Sequence, residues 1–260
     1  MKLMINHQTH YEYSDAVQRS IQYIKMMPSS NDHQKVERWD ISVPGQKMVQ
    51  RDAFNNLWLT TTQVDAYQYM TIMAQGIVEL NVERETGIED AVNPYLFLQP
   101  TPSTLCNDAM REFVKVFVPR IHRGNLIHLA EALLKYLPYT PTMTDVHTTA
   151  IDAFERRMGV CQDHSHVFIA MCRYLGVPAR YVSGYLFAEN QTHLASHAWA
   201  EVYLDQKWYC FDVSNQLFQP SAHIYVAIGR DYWDVAPIRG VREKGGHEYM
   251  KSVVQVLCCS

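Results

Sequence analysis

Alternation of apolar and polar residues dominates the first third of the chain. Ile, Val, Thr and Tyr are concentrated in five short runs, several of which alternate: QYIKMMP, WDISVPG, LWLTTTQV, YMTIMAQGIVEL and NVERE. Asn, Gly, Pro and Asp separate these runs at the spacing typical of a β-sandwich or barrel. Residues 1–98 are therefore predicted to form a β-rich N-terminal domain, an antiparallel β-sandwich.

The pattern changes after PYLFLQPTPST, a proline-rich segment that marks a boundary. Beyond it, apolar residues at helical spacing predict helices over residues 108–117, 126–137, 148–157 and 161–175. Thr149 and Asp152 have the spacing of a capping box at the start of the third helix, and Gly176 is a stop signal after the fourth. These signals define a helical middle section.

Strand patterns return after the fourth helix. They predict strands in ARYVSGYLF, SHAWAEVYL, KWYCFDVS, HIYVAIG and YMKSVVQVL. Residues 99–260 are thus predicted to form a second domain, in which helices pack on an antiparallel sheet. The predicted fold class is α+β.

Composition excludes several classes of function. The 260 residues carry a formal net charge of -4, and Lys and Arg are scattered, so no nucleic-acid partner is expected. No apolar run has the length of a signal peptide or a membrane span, so no membrane association is expected. The six cysteines lack paired spacing, which is typical of reduced thiols, and we therefore expect a cytoplasmic protein.

One cysteine lies where a thiol can be reactive. Cys161, in GVCQDHSH, begins the predicted fourth helix, whose free N–H groups and dipole favour negative charge and hence a thiolate. Three roles are open to it at this point: a small buried apolar residue, a metal ligand or a nucleophile. Asp163, in the same first turn, is interpreted as a helix-start acid.

A nucleophilic cysteine needs a base and a group that orients the base. His197 opens the strand HAWAEVY, and Asp212 lies near the end of the next strand, in WYCFDVSN. A hairpin through the polar turn LDQK would place these two residues opposite each other, since their numbers sum to about 409 and centre the turn inside LDQK.

A metal centre is the competing interpretation. Cys161, His164 and His166 form C-x2-H-x-H, but on a helix the two histidines lie about 200° apart and cannot join Cys161 at one tetrahedral ion. His193 and His197 are four residues apart, but His197 is predicted in a strand, which breaks the helical spacing. No metal is therefore predicted.

Three segments carry a family resemblance: GVCQDHSHVFIAMCRYLGVPARYVSGYL, SHAWAEVYLDQKWYCFDVSN and HIYVAIGRDYWDVAPIRG. In this order they resemble the bacterial transglutaminase-like domain proteins, a branch of the papain-like cysteine protease superfamily. DAFNNLWLTTT resembles, more weakly, the N-terminal domain that accompanies this branch. The resemblance implies that a papain-like, transglutaminase-like core follows the β-rich domain.

The resemblance also implies an enzyme with a Cys–His–Asp triad: Cys161 as nucleophile, His197 as general base and acid, and Asp212 as the orienting carboxylate. The implied enzyme is a thiol-dependent hydrolase, a cysteine peptidase or amidase. It would cleave an amide bond of a peptide or protein through a thioester and would need no cofactor. Two alternatives stay open: an acyltransferase of the transglutaminase type, which passes the acyl group to an amine, and a protein-binding scaffold without activity.

The sequence departs from the family pattern beside the predicted site. FDVSN stands where the family has FDPTN, so Val213 and Ser214 replace Pro and Thr, and His164 replaces a more usual Phe. These departures bear on substrate preference more than on catalysis. Trp199 is predicted to form a wall of the substrate site, and Gly184 to mark a close approach of backbone or substrate.

Overall fold

The computed structural model describes residues 1–83, 91–141, 145–188 and 196–259. Its strands are β1 (Lys2–Met27), β2 (Gln34–Ser42), β3 (Gln46–Arg51), β4 (Leu57–Gln63), β5 (Tyr67–Leu80), β6 (Ala179–Leu186), β7 (His197–Leu204), β8 (Lys207–Phe211), β9 (His223–Gly229), β10 (Ile238–Lys244) and β11 (Glu248–Cys258). Its α-helices are α1 (Asp108–Phe117), α2 (Arg123–Tyr136), α3 (Ala150–Arg156), α4 (Cys161–Tyr174) and α5 (Tyr232–Val235). The predicted α+β class is confirmed.

A single long strand organises the N-terminal sheet. β1 runs for 26 residues and pairs antiparallel with four strands, its first half with β5 and β11 and its second half with β4 and β10. Buried and exposed positions alternate along most of it, so that Leu3 and Ile5 are buried while Met4 between them is exposed. The register shifts before Val17, and side chains from both halves of β1 share one apolar core. With β2 beside β5 and β3 beside β4, the seven strands β1 to β5, β10 and β11 form one sheet.

The C-terminal end of the chain returns to this sheet. β10 places Ile238 opposite Ile24, and β11 places Val256 opposite Ile5. The strand-rich layer therefore combines residues from both ends of the chain, although the division at residue 98 stays a prediction. The predicted strand NVERE is wrong for residues 81–83, which form a turn, and its last two residues lie outside the described ranges.

A second, four-stranded antiparallel sheet has the order β8-β7-β6-β9. Helix α4 packs on β7 and β6 and is buried along almost its whole length. Alternate positions of β7 present Ala198, Ala200 and Val202 to the core that includes α4, and small side chains allow a close approach. His197 and Trp199 consequently lie on the opposite face of β7.

The hairpin of β7 and β8 has a register that differs from the prediction. Leu204 pairs with Lys207, and the loop residues Asp205 and Gln206 have φ values of 49° and 64°, as a type I′ turn requires. The numbers of paired residues sum to 411, so the predicted direct pairing of His197 with Asp212 is wrong by two positions. A shift of two positions preserves the face of the strand, and the two side chains remain diagonal neighbours.

Capping signals mark the start of α3 and the end of α4, as the sequence predicts. Asp152 donates its N–H to Thr149 Oγ1 at 3.2 Å, and Thr149 donates its N–H to Asp152 Oδ2 at 3.1 Å. After α4, Gly176 has a φ of 76°, and Val177 N–H donates to the carbonyl of Cys172 at 3.0 Å. Among the described residues, no helix is long and apolar enough to span a membrane.

Candidate active site

Cys161 is the first residue of α4, and its half-buried side chain lines a cleft. Asp163 Oδ2 accepts the backbone N–H of Val160 at 2.8 Å, which is the helix-start role predicted for Asp163. Gly159 lies against the same carboxylate, because a Cβ at this position would be 2.6 Å from Asp163 Cβ. The start of α4 therefore depends on a glycine and an acid on either side of the cysteine.

The segment around Tyr139 holds the loop before Cys161 from the other side. Tyr139 forms a parallel bridge with Gly159, and Thr140 N–H donates to the carbonyl of Gly159 at 2.8 Å. Tyr139 also lines the cleft beside Cys161. The backbone next to the thiol is thus fixed by contacts that do not depend on a substrate.

His197, at the start of β7, contacts both other members of the predicted triad. Its Nε2 lies 2.7 Å from Asp212 Oδ2, so Nε2 carries a proton and donates it to the carboxylate. The Cys161 side chain lines the same cleft as the imidazole, and Nδ1 is the nitrogen of His197 that Asp212 leaves for the thiol. Burial lowers the pKa of His197, but the interactions with Asp212 and Cys161 outweigh burial and raise the pKa to about 10. The site therefore favours an imidazolium.

Asp212 is fully buried and accepts hydrogen bonds on both oxygens. Besides His197, Oδ2 accepts from Asn215 Nδ2 at 2.9 Å and from His223 Nε2 at 3.1 Å, and Oδ1 accepts the N–H of Asn215 at 3.2 Å. Burial by itself raises the pKa of Asp212, but the hydrogen bonds from His197 and His223 hold the pKa well below its usual range. A backbone bridge between Asp212 and Leu217 closes the turn that brings Asn215 back to the carboxylate.

The cleft at Cys161 has a volume of about 660 Å³. Cys161, His197 and residues of β6 line it, and His7 and Lys25 of β1 line it as well. The N-terminal sheet is therefore part of the cleft and is not a separate appendage.

His164 lies beneath the site. It is fully buried, donates Nε2–H to the carbonyl of Leu137 at 2.7 Å and accepts the Ser214 hydroxyl on Nδ1 at 2.7 Å. Burial lowers its pKa, which favours this neutral form. The two departures from the family pattern, His164 and Ser214, thus contact each other and connect α4 to the turn after Asp212.

Trp199 and Gly184 support the triad from behind. Trp199 is fully buried and outside the cleft lining, so it does not form the predicted substrate wall; it packs against His197 and His223, with ring centroids 5.9 and 4.7 Å apart. Gly184 pairs with His197, and a Cβ on it would lie 1.9 Å from the carbonyl oxygen of Ile224. The sequence predicted a close approach of backbone or substrate at Gly184, and the structure shows a close approach of backbone.

Three side chains could offer metal ligands among the described residues: His197, Asp212 and His223, whose donor atoms lie within 4.8 Å of one another. The distances from the two Nε2 atoms to Asp212 Oδ2, 2.7 and 3.1 Å, are those of hydrogen bonds. They are shorter than the edge of about 3.3 Å expected between ligands of a tetrahedral zinc ion with bonds of about 2.0 Å. The geometry therefore fits shared protons better than an ion.

The histidines of the C-x2-H-x-H pattern bind different partners. His166 Nε2 accepts the N–H of Tyr232 at 3.1 Å, whereas His164 bonds to Leu137 and Ser214. His193 lies outside the described residues. The absence of a metal stays a prediction.

Comparison with known proteins agrees with this geometry. Residues 123–213 match the profile of the transglutaminase-like superfamily, and residues 3–79 match that of the bacterial transglutaminase-like N-terminal region. Over these two segments the chain is similar to the transglutaminase-like superfamily and to its bacterial N-terminal region. The predicted resemblance is confirmed, and the match supports a cysteine-based catalytic fold.

Relatives of this transglutaminase-like chain cover nearly its whole length. An uncharacterized protein of Mycobacterium leprae is 27% identical over 277 residues, covering 98% of both chains, and one of Mycobacterium tuberculosis is 26% identical over 271 residues, covering 91% of this chain and 86% of the other. The crystal structure of a candidate cysteine protease from Cytophaga hutchinsonii superimposes with a TM-score of 0.81 at 20% identity, covering 99% of this chain and 90% of the other. This last similarity establishes the fold.

The contact of His223 with Asp212 was not predicted from the sequence. The available signal was weak, since His223 opens the predicted strand HIYVAIG and alternation says nothing about its partner. Pairing of β9 with β6 brings His223 to the carboxylate, and that pairing is not encoded in a local pattern.

Proposed function

We propose that this protein is a thiol-dependent hydrolase that cleaves an amide bond of a peptide or protein substrate at Cys161. The observation that carries the proposal is the 2.7 Å hydrogen bond between His197 Nε2 and Asp212 Oδ2, with Cys161 beside the same imidazole in one cleft. This cleft of about 660 Å³ has the size of typical ligand sites and supports the same proposal.

Acylation begins with the thiolate of Cys161 next to the His197 imidazolium. Sγ attacks the amide carbon, a C–S bond forms and the carbonyl electron pair moves to oxygen. The backbone N–H of Cys161, in the first turn of α4, is available to that oxyanion, and a donor of this kind contributes about 3 kcal/mol. The oxyanion then collapses, the C–N bond breaks, and His197 Nδ1 gives its proton to the departing amine.

Deacylation uses the same groups in reverse. Neutral His197 takes a proton from water, whose oxygen attacks the thioester carbon, and collapse of the second intermediate breaks the C–S bond. The acid leaves, and the thiolate and imidazolium are restored. Asp212 keeps the Nε2–H of His197 directed at itself and so presents Nδ1 to the thiol.

Transfer of the acyl group to an amine is the alternative fate of the same thioester. In that case an amine nitrogen replaces the water oxygen and gives up its proton to His197. The protein itself supplies every group in either route, and no cofactor takes part in the proposal. A cytoplasmic location is part of the proposal as well.

The test is the rate of Cys161 alkylation by iodoacetamide from pH 4 to 9, followed by mass spectrometry, in the wild type and in His197→Ala. Cys106 is an internal control, because burial raises the pKa of this half-buried thiol to about 11. We expect rapid labelling of Cys161 well below pH 8 in the wild type and loss of this acid limb in His197→Ala. Labelling that rises only near pH 8.5 and ignores His197 would overturn the proposal.

Hydrolysis and transfer are separated by product analysis on a peptide-amide library with and without a primary amine. Hydrolysis gives the free acid in both reactions. Accumulation of a new amide only when the amine is present would replace hydrolysis by transfer, and Cys161→Ala must abolish either product.

A further inference from the structure

His223 is a buried titratable group that contacts the proposed triad directly and that the proposed mechanism does not use. It is fully buried at the first position of β9, and its Nε2 lies 3.1 Å from the same Asp212 oxygen that accepts from His197. Because Asp212 is ionised and only accepts, Nε2 of His223 must carry a proton and donate it. We propose that His223 is a positioning residue, which holds Asp212 in line with His197 and extends the triad to Cys–His–Asp–His.

The surroundings of His223 favour one neutral tautomer. Its Nδ1 is buried and has no hydrogen-bond partner among the described residues, so protonating it would leave a buried N–H unpaired. The charged groups that face the ring are Asp212, His197 and Glu201, and burial outweighs the acids and lowers the pKa of His223. A neutral ring with its hydrogen on Nε2 donates one hydrogen bond without bringing a second positive charge to His197.

The backbone of His223 is held by the N-terminal sheet. His33 Nε2 donates to the carbonyl of His223 at 2.8 Å, and the Gln34 side chain exchanges two hydrogen bonds of 2.8 Å with the backbone of Tyr225. The Trp199 ring packs on the imidazole with 4.7 Å between centroids. The donor is thus fixed in position from three sides, which is what orientation of a carboxylate requires.

The inference rests on the proposed function, and a matched pair of variants tests it. His223→Gln keeps an N–H donor, whereas His223→Met has similar length and no donor. We expect His223→Gln to keep kcat within about three-fold, and His223→Met to lose about 10- to 100-fold in kcat with little change in KM, the usual effect of removing a hydrogen bond to a charged group. In His223→Met the rate of iodoacetamide labelling of Cys161 below pH 8 should fall in parallel with kcat.

A spectroscopic measurement tests the donor directly. Side-chain ¹H–¹⁵N correlation spectra of the folded wild type at pH 7 are expected to show His223 neutral, with its hydrogen on Nε2. The control is His166→Met, which removes another fully buried imidazole whose partner is the backbone of Tyr232. In the labelling experiment, His166→Met should change the free energy of unfolding but leave the pH profile of Cys161 labelling as in the wild type.

Each outcome decides one question. Hydrogen on Nδ1 of His223, or equal kcat and labelling in His223→Met and His223→Gln while wild-type Cys161 reacts rapidly, overturns the positioning role alone. Ordinary, slow labelling of wild-type Cys161 overturns the proposed function, and the positioning role with it. If His223→Met does not fold, the tautomer and the activity of His223→Gln decide.

Discussion

Two carboxylates buried at the four-stranded sheet, Glu201 in β7 and Asp212 just after β8, are equally buried and differ in their chemistry. Glu201 forms an ion pair of 2.6 Å with Arg180, and both side chains are fully buried. The Tyr225 hydroxyl donates to Glu201 at 2.8 Å, and the Arg180 guanidinium lies 4.0 Å from the ring centroid of Trp208. Since arginine keeps its charge at every accessible pH, this group is a closed structural unit.

Asp212 is buried as completely as Glu201, but its principal partner can change charge. His197 is a titratable imidazole, its side chain is 12% exposed, and it lines the cleft next to Cys161. A buried, paired carboxylate therefore does not by itself indicate catalysis. A titratable partner that reaches a cleft is what makes Asp212, and not Glu201, a candidate for the proposed triad.

The largest effect is expected when the charge of Asp212, the carboxylate of the proposed triad, is removed. Asp212→Asn should lower activity by about 10³- to 10⁴-fold, because the histidine loses its orienting charge. In NMR titrations the wild-type His197 should stay protonated through pH 8, in keeping with its pKa of about 10. In Asp212→Asn the pKa of His197 should fall, since burial lowers it and the main opposing influence is gone.

The matched control for Asp212→Asn is Asp205→Asn. Asp205 lies in the turn of the same hairpin with a φ of 49°, a conformation that Asn tolerates. Asp205→Asn should leave the activity and the titration of His197 unchanged. An unaltered His197 titration in Asp212→Asn would show that Asp212 does not control the charge of its partner, so that Asp212 and Glu201 would not differ in this respect.

Glu201, the carboxylate of the buried ion pair, is expected to affect stability and not the reactivity of Cys161. Glu201→Gln should lower the free energy of unfolding by about 3–5 kcal/mol, because it removes the carboxylate from a buried guanidinium. The labelling profile of Cys161 in the folded fraction should be that of the wild type. Urea denaturation and iodoacetamide labelling of the same sample measure the two quantities.

The double variant Arg180→Met with Glu201→Leu sharpens this result. Replacing both charges by apolar groups should recover most of the lost stability. A shifted labelling profile in Glu201→Gln would mean that the ion pair is coupled to the triad and that the two units are not separate.

The smallest expected effect concerns the contact between the two departures from the family pattern. Ser214→Ala should lower the free energy of unfolding by about 1–3 kcal/mol, because it removes the donor to the buried Nδ1 of His164. Ser214→Thr keeps a hydroxyl and is the matched control. If Ser214→Thr loses as much stability as Ser214→Ala, the hydrogen bond to His164 is not the cause.

Local patterns predicted much of the site. Cys161 at a helix start, Asp163 as its acid and Thr149 as a cap depend on residues within one turn of each other, where propensity and spacing are strong. The polar turn LDQK placed β7 beside β8, and alternation placed His197 on the face it has. The register was wrong by two positions because the turn type depends on which residues adopt a positive φ, and two neighbouring registers preserve the same faces.

The sequence by itself determined α1 to α4, the strands β6 to β9 and β11, and the identity of Cys161, His197 and Asp212 as candidates, because each depends on short-range periodicity or on a recognisable motif. Only the tertiary structure decided that His223 reaches Asp212, that His7 and Lys25 line the cleft, and that β10 and β11 complete the N-terminal sheet. The physical reason is that these contacts join distant segments across sheets. The free energy that selects such pairings comes from burial of whole faces, and no local pattern of residues records it.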